Sequence, residues 1–118
     1  MDALRLELSR HFGFLELAGF VLRIEDFSPQ HFGNFVATYA SADLSIRLTR
    51  DRGQVFVDLS AGNESWQDKE VLLEKLAVPR TRHPTVSGLW SGYEISIQAL
   101  ELQQYLPKLK EAVRESAA

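Results

Sequence analysis

Hydrophobic residues recur at two different periods along this chain, and the first period is that of a helix. Between Asp2 and Ala18 the apolar positions lie three or four residues apart, which places them on one helical face: Leu4, Leu8, Phe12 and Leu15. Gly19 follows as a C-terminal cap, because glycine accepts a positive φ. Gly13 interrupts the pattern and predicts that the helix bends or ends there.

The middle of the chain alternates between apolar and polar residues, which is the period of a half-buried strand. Four such segments span residues 20–27, 35–40, 44–49 and 55–59. The clearest part runs from Asp43 to Leu59, where two alternating runs flank the turn Asp51-Arg52-Gly53 and predict a hairpin. Alternation also predicts that the neighbouring carboxylates Glu25 and Asp26 point to opposite faces of the sheet.

The last half of the chain is predicted to be mainly helical. Ser65, with Asp68 three residues later, predicts a helix start, and the segment Tyr93–Ile97 alternates weakly, as a short strand would. The final segment has helical spacing but contains Pro107, which predicts a kink or two short helices. We therefore expect one α+β domain over residues 1–118. It has an antiparallel meander sheet of four or five strands, with an N-terminal helix and two C-terminal helices packed on one face.

Composition indicates which partners and which cellular compartment suit this domain. The chain has 118 residues, a net charge of −3 and no cysteine. A negative balance argues against nucleic acid as a partner, and the absence of cysteine fits a reducing compartment. No apolar run approaches the roughly 18 residues that cross a bilayer. We expect a cytoplasmic protein without a membrane partner, and the N-terminus lacks the pattern of a signal peptide.

The sequence contains no motif that carries catalysis or binds a cofactor. GxSxG, SxxK and glycine-rich phosphate loops are absent. The three histidines, His11, His31 and His83, have no metal-ligand spacing. The sequence therefore predicts no catalytic residue, no metal and no cofactor, and favours a protein that is not an enzyme.

The sequence does contain residues of the types that are common at protein interfaces. Alternation places Arg47, Phe56 and Asp58 on the face of the hairpin opposite the core, with Arg47 and Asp58 as a cross-strand ion pair. Trp90 lies between two glycines in a predicted loop, and tryptophan is enriched at interface hot spots. Two arginines from the same loop complete the set of candidate partner-binding residues: Arg80 and Arg82.

The order of these segments resembles a known class of proteins. Gly19-Phe20 ends the first helix, Phe32-Gly33-Asn34 leads into a strand, the hairpin core reads LSIRLTRDRGQVFVD, and Trp66 starts the next helix. This pattern resembles small bacterial α+β proteins found among the predicted immunity proteins of polymorphic toxin systems. The resemblance implies a non-catalytic protein that neutralises a toxin by covering its surface, although residues 78–93 depart from the pattern.

Two alternatives of a different class stay open at this point. The first is a small-ligand-binding or enzymatic domain, with a pocket near the 78–93 loop that uses Trp90 and His83. The second is a homodimer of unknown role, formed through an exposed strand or through the face that carries Phe56.

Overall fold

A computed structural model describes residues 2–31, 33–62, 65–80 and 93–117 of this chain. In this part of the chain three helices and five strands follow one another. Their bounds are α1 Asp2–Leu17, β1 Val21–Ser28, β2 Asn34–Ala40, β3 Ser45–Asp51, β4 Gln54–Ser60, β5 Gln67–Asp68, α2 Lys69–Leu76 and α3 Ile95–Ala117.

The strands form one sheet in the order β1-β2-β3-β4-β5, and every neighbouring pair is antiparallel. The helices pack on one face of this sheet, where α3 and α2 contact β4 and α1 contacts both α3 and β1. The predicted α+β fold with an antiparallel meander is therefore confirmed. None of the helices in the described ranges combines the length and the apolar composition that crossing a membrane requires.

The core lies between the sheet and the helices. Its residues are the apolar ones that recur at the helical and strand periods of the sequence. The helical stripe of α1 is fully buried, and so are the inward positions of β2, β3 and β4. Apolar residues of α2 and α3 close the opposite side of this core, among them Leu72, Leu73, Leu102, Leu109 and Val113. Burial of this apolar surface is the main favourable contribution to folding.

Four local features differ from what the sequence predicts or narrow it. Helix α1 continues through Gly13, because the buried stripe on both sides holds that turn in place. Helix α2 is capped by Asp68, whose carboxylate accepts a hydrogen bond from the Glu70 amide, and Ser65 lies before it. The fifth strand is Gln67–Asp68, whereas Ile95–Ile97 already belongs to α3. Helix α3 also runs unbroken past Pro107 instead of dividing into two.

Strand β1 contains an irregularity that the alternation could not predict. Ile24 pairs with Ala37 and Asp26 with Val36, so Glu25 is an extra residue in a bulge. Thr38, on the face away from the helices, donates a hydrogen bond of 2.8 Å to the Glu25 carboxylate. Glu25 and Asp26 therefore both lie toward this outer face, and the prediction that they point to opposite faces is wrong.

The central hairpin turns through two residues with left-handed backbone. Asp51 pairs with Gln54, while Arg52 has φ 53 and Gly53 has φ 85. This is the geometry of a type I′ turn, in which asparagine or glycine is preferred because other side chains strain the left-handed region. Arg52 also donates its backbone N–H to the side-chain oxygen of Asn34 at 2.9 Å, which ties the turn to the start of β2.

Replacing Arg52 by asparagine should therefore raise the free energy of unfolding by about 0.5 kcal/mol. The backbone hydrogen bond to Asn34 is kept by any residue but proline. Thermal unfolding monitored by circular dichroism would measure the gain. Gly53→Ala is the matched control: its Cβ would meet no atom within 4 Å, so any loss of stability reports backbone strain alone. A lower melting temperature for Arg52→Asn would contradict the turn assignment.

Candidate protein-binding surface

The outer face of the hairpin carries three of the residues that the sequence singled out. Arg47 and Asp58 face each other across β3 and β4, and Thr49 faces Phe56 two positions further along. All of these side chains are half-buried and lie opposite the helix-covered core. The Arg47 guanidinium lies 3.3 Å from the Asp58 carboxylate, so the predicted cross-strand ion pair is present.

Trp66 completes the environment of this ion pair. The centre of the Arg47 guanidinium lies 4.4 Å from the centre of the Trp66 ring, a cation–π contact. Trp66 reaches this position because β5 pairs along β4 immediately after it, with Asp68 opposite Asp58. Burial raises the pKa of Asp58, the hydrogen bond and charge of Arg47 oppose that rise, and the negative charge of Asp68 adds to it.

A second aromatic contact lies on the same face. The rings of Phe56 and Tyr93 are 5.0 Å apart between centroids, with their planes inclined by 42°. Tyr93 stands just before α3, so the chain brings this ring from outside the sheet onto the outer face of β4. We call the set Arg47, Phe56, Asp58, Trp66 and Tyr93 the aromatic-arginine surface.

A cluster of four charged side chains lies beside this surface, at the edge of the sheet where α2 begins. The ammonium nitrogen of Lys69 lies 2.8 Å from a Glu101 oxygen and 2.7 Å from a Glu70 oxygen. The guanidinium of Arg80 is hydrogen-bonded to Glu70 and, at 2.9 Å and 3.1 Å, to the two oxygens of Glu101. We call Lys69, Glu70, Arg80 and Glu101 the ion-pair cluster.

The ion-pair cluster is deeply buried and balanced in charge. The side chain of Lys69 is 0% exposed and that of Glu101 is 1% exposed. Burial alone would raise the pKa of Glu70, but hydrogen bonds and positive charge from Lys69 and Arg80 together hold this pKa below its ordinary value. Two cations and two anions leave the cluster neutral, which is the condition under which buried charges are tolerated.

The same cluster fixes the segment that follows α2. Hydrogen bonds with Glu101 raise the pKa of Arg80, and its side chain is only 20% exposed. One residue earlier, the carbonyl of Pro79 accepts a hydrogen bond from the Tyr105 hydroxyl. Both contacts attach the segment after α2 to helix α3. The arrangement anchors this part of the backbone and leaves no charge of the cluster uncompensated.

The predicted partner-binding residues fall into three groups. Arg47, Phe56 and Asp58 come together on the aromatic-arginine surface. Arg80 lies in the ion-pair cluster, with its guanidinium engaged by two carboxylates. Trp90 and Arg82 lie outside the described residues, as does His83 of the alternative pocket, so that pocket stays a prediction.

The arginines near the hairpin end do not form one basic patch. Arg50 is on the core side, where it pairs with Glu7 of α1 at 2.9 Å and donates to the Gly33 carbonyl at 3.0 Å. Arg47 is paired on the outer face, and Arg52 stands exposed in the turn. The three guanidinium groups therefore lie in different surroundings.

The contacts that sequence reasoning missed come from outside the strands. Tyr93 is predicted in a strand, whereas it stands just before α3. Trp66 is predicted to pack its ring over the sheet edge, but its contact with Arg47 is not predicted. Lys69 and Glu101 are 32 positions apart, so no local spacing connects them. Glu101 does lie in a helical stripe with Ile97 and Tyr105, and a carboxylate inside such a stripe is the one signal that predicts a buried ion pair.

Comparisons with known proteins identified no relative of this chain. No protein-family model, no curated protein and no solved structure matched this chain. The resemblance to immunity proteins therefore rests on the residue pattern alone. Within the described ranges, no group of three histidine, aspartate or glutamate side chains is arranged to hold a metal ion.

Proposed function

We propose that this chain is a non-catalytic protein-binding domain that contacts its partner through the aromatic-arginine surface. One observation supports this above the others: Arg47, stacked on Trp66 and paired with Asp58, lies on the same sheet face as the Phe56–Tyr93 pair. Tryptophan, tyrosine and arginine are the residue types that most often dominate binding energy at protein interfaces. The described helices all pack on the other face, and the side chains of this face are half-buried.

The geometry also favours a preformed surface. Both rings are held by a neighbour, Trp66 by a guanidinium and Phe56 by a tyrosine, so less side-chain entropy is lost when a partner docks. The pair Arg47–Asp58 offers a donor and an acceptor at the rim of the rings. A partner surface with apolar side chains surrounded by mixed charge would match it.

The identity of the partner is the second part of the proposal. We infer a toxin of a bacterial polymorphic toxin system, which this chain would neutralise in the cytoplasm, the compartment that its cysteine-free sequence fits. This part is supported by the residue pattern from Gly19 to Trp66.

The test uses purified chain and the purified product of the neighbouring reading frame. Trp66→Ala and Phe56→Ala should each weaken binding about 30-fold, corresponding to a hot-spot loss of about 2 kcal/mol, as measured by calorimetry. Leu100→Ala is the matched control, because Leu100 is 51% exposed on α3 and lies outside the surface. Melting temperatures of all variants establish that they are folded.

The outcomes separate the two parts of the proposal. Binding that is unaffected by either substitution would refute the assigned surface. Binding without protection of cells that express the neighbouring frame would refute toxin neutralisation while keeping the binding domain. Absence of binding between the two proteins would refute the assignment of the neighbouring gene product as the partner.

A further inference from the structure

Strand β1 forms one edge of the sheet and has only β2 as a neighbour among the described strands. Such an edge presents a row of backbone N–H and C=O groups that can pair with another strand. This edge is the one far from β5. On the outer face Thr38 of β2 stands in register between Arg23 of β1 and Arg47 of the aromatic-arginine surface. Pairing at the edge of β1 does not rest on the proposed function.

Half of the side chains of β1 are apolar. Val21 is 70% exposed, while Leu22, Ile24 and Phe27 contact the core but stay only half-buried. Leu6 of α1, which is 68% exposed, lines an open groove of about 500 Å³ together with Leu22. A second groove, of about 450 Å³, is lined by Ile24, Phe27 and Pro29 together with the carboxylates Glu25 and Asp26. Helix α1 therefore covers this edge incompletely.

The charges of β1 have opposite sign on the two sides of Ile24. The exposed cation Arg23 precedes it, and the exposed anions Glu25 and Asp26 follow it. Because Glu25 and Asp26 form a bulge, the two occupy one position of the ladder. An antiparallel copy centred on Ile24 would then oppose Arg23 to the partner's bulge and Leu22 to the partner's Phe27.

This pattern is complementary to itself in both charge and hydrophobicity. Two symmetry-related contacts would join arginine to carboxylates on the outer face, and Ile24 would meet its own copy on the helix-covered face. A two-fold axis requires such self-complementarity, since each contact occurs twice. Cross-strand pairs of opposite charge and of apolar residues are the units that stabilise antiparallel pairing.

We propose that a second copy of this chain pairs antiparallel with β1 about Ile24, which joins two sheets into one across a symmetric dimer. We infer another copy as the occupant because of the order of the charges along β1. The cation lies before Ile24 and the anions lie after it, so a second β1 strand running in the opposite direction places each cation opposite the anions.

Sedimentation equilibrium from about 1 to about 100 µM tests this with complementary charge reversals. Arg23→Glu alone, and Glu25→Lys with Asp26→Lys, should each weaken dimerisation at least about tenfold, because like charges would then face each other. An equimolar mixture of the two variants should dimerise again. In the mixed dimer the carboxylate introduced at position 23 of one chain meets the two introduced ammonium groups of the other, while the second contact keeps its native residues. Lys108→Glu, at an exposed position of α3, is the control that should leave the dimer unchanged.

Restored association in the mixture also shows that both variants are folded. A chain that is monomeric over the whole concentration range would overturn the proposal and leave the edge for a strand of different sequence. A dimer that tolerates both reversals would equally overturn it, because the contact would then use another surface.

Discussion

Replacing Glu101 by glutamine is expected to lower the free energy of unfolding by about 3 kcal/mol, although the side chain keeps its size. The change removes one of the two anions of the ion-pair cluster and leaves Lys69 and Arg80 facing Glu70 alone. Lys69 is fully buried, so the uncompensated positive charge cannot be hydrated without opening the structure. The remaining contact of 2.7 Å from Lys69 to Glu70 keeps the loss at the lower end of what breaking a buried pair costs.

Urea unfolding measures this change, since a lower midpoint at constant slope reports stability alone. Glu111→Gln is the matched control: it is the same substitution on the same helix at an exposed position, and should alter stability by less than about 0.5 kcal/mol. Equal effects of the two substitutions would contradict the burial of the cluster.

A double substitution separates the cost of an unpaired charge from the value of the pair. Lys69→Met with Glu101→Leu removes one cation and one anion together, which leaves Arg80 paired with Glu70. Replacing a buried ion pair by apolar side chains of similar volume is often neutral, so the double variant should recover most of the loss seen with Glu101→Gln. Recovery would show that the loss in Glu101→Gln comes from the unpaired buried charge and not from the contacts of Glu101 themselves.

The central hairpin shows how far sequence reasoning extends in this fold. From Asp43 to Leu59 each strand alternates except at Arg50 and Phe56, and the turn contains a glycine, so the strand pairing and the shared face of Arg47, Phe56 and Asp58 follow directly. Strand β5 has two residues and carries no period at all, so its existence depends on docking against β4. The local pattern predicts those elements that are long enough for their spacing of apolar and polar residues to repeat.

The candidate surface was predictable only where it lies within the hairpin. Trp66 and Tyr93 reach the outer face from segments flanking β5 and α3, and their positions follow from how the chain closes around the sheet edge. The link from Lys69 to Glu101 likewise depends on how α2 meets α3. Contacts between elements distant in sequence have no local signature, which is why these contacts were missed.

Replacing Phe12 by alanine should destabilise the fold by about 3 to 5 kcal/mol, the usual cost of deleting a fully buried phenylalanine. The Phe12 ring is 0% exposed and lies 6.3 Å from the ring of Tyr39 in β2, so it joins α1 to the middle of the sheet. Its loss would leave a cavity at this junction. Burial, together with the negative charge of Glu16, already raises the pKa of Tyr39.

Leu17→Ala is the matched control, because Leu17 belongs to the same helix but is 92% exposed. Its removal should change the urea midpoint by less than the equivalent of about 0.5 kcal/mol. If Phe12→Ala cost no more than this control, α1 would not be docked on the sheet through its apolar stripe. Because α1 lies beside β1, a loosened helix would also expose more of Leu22 and its groove.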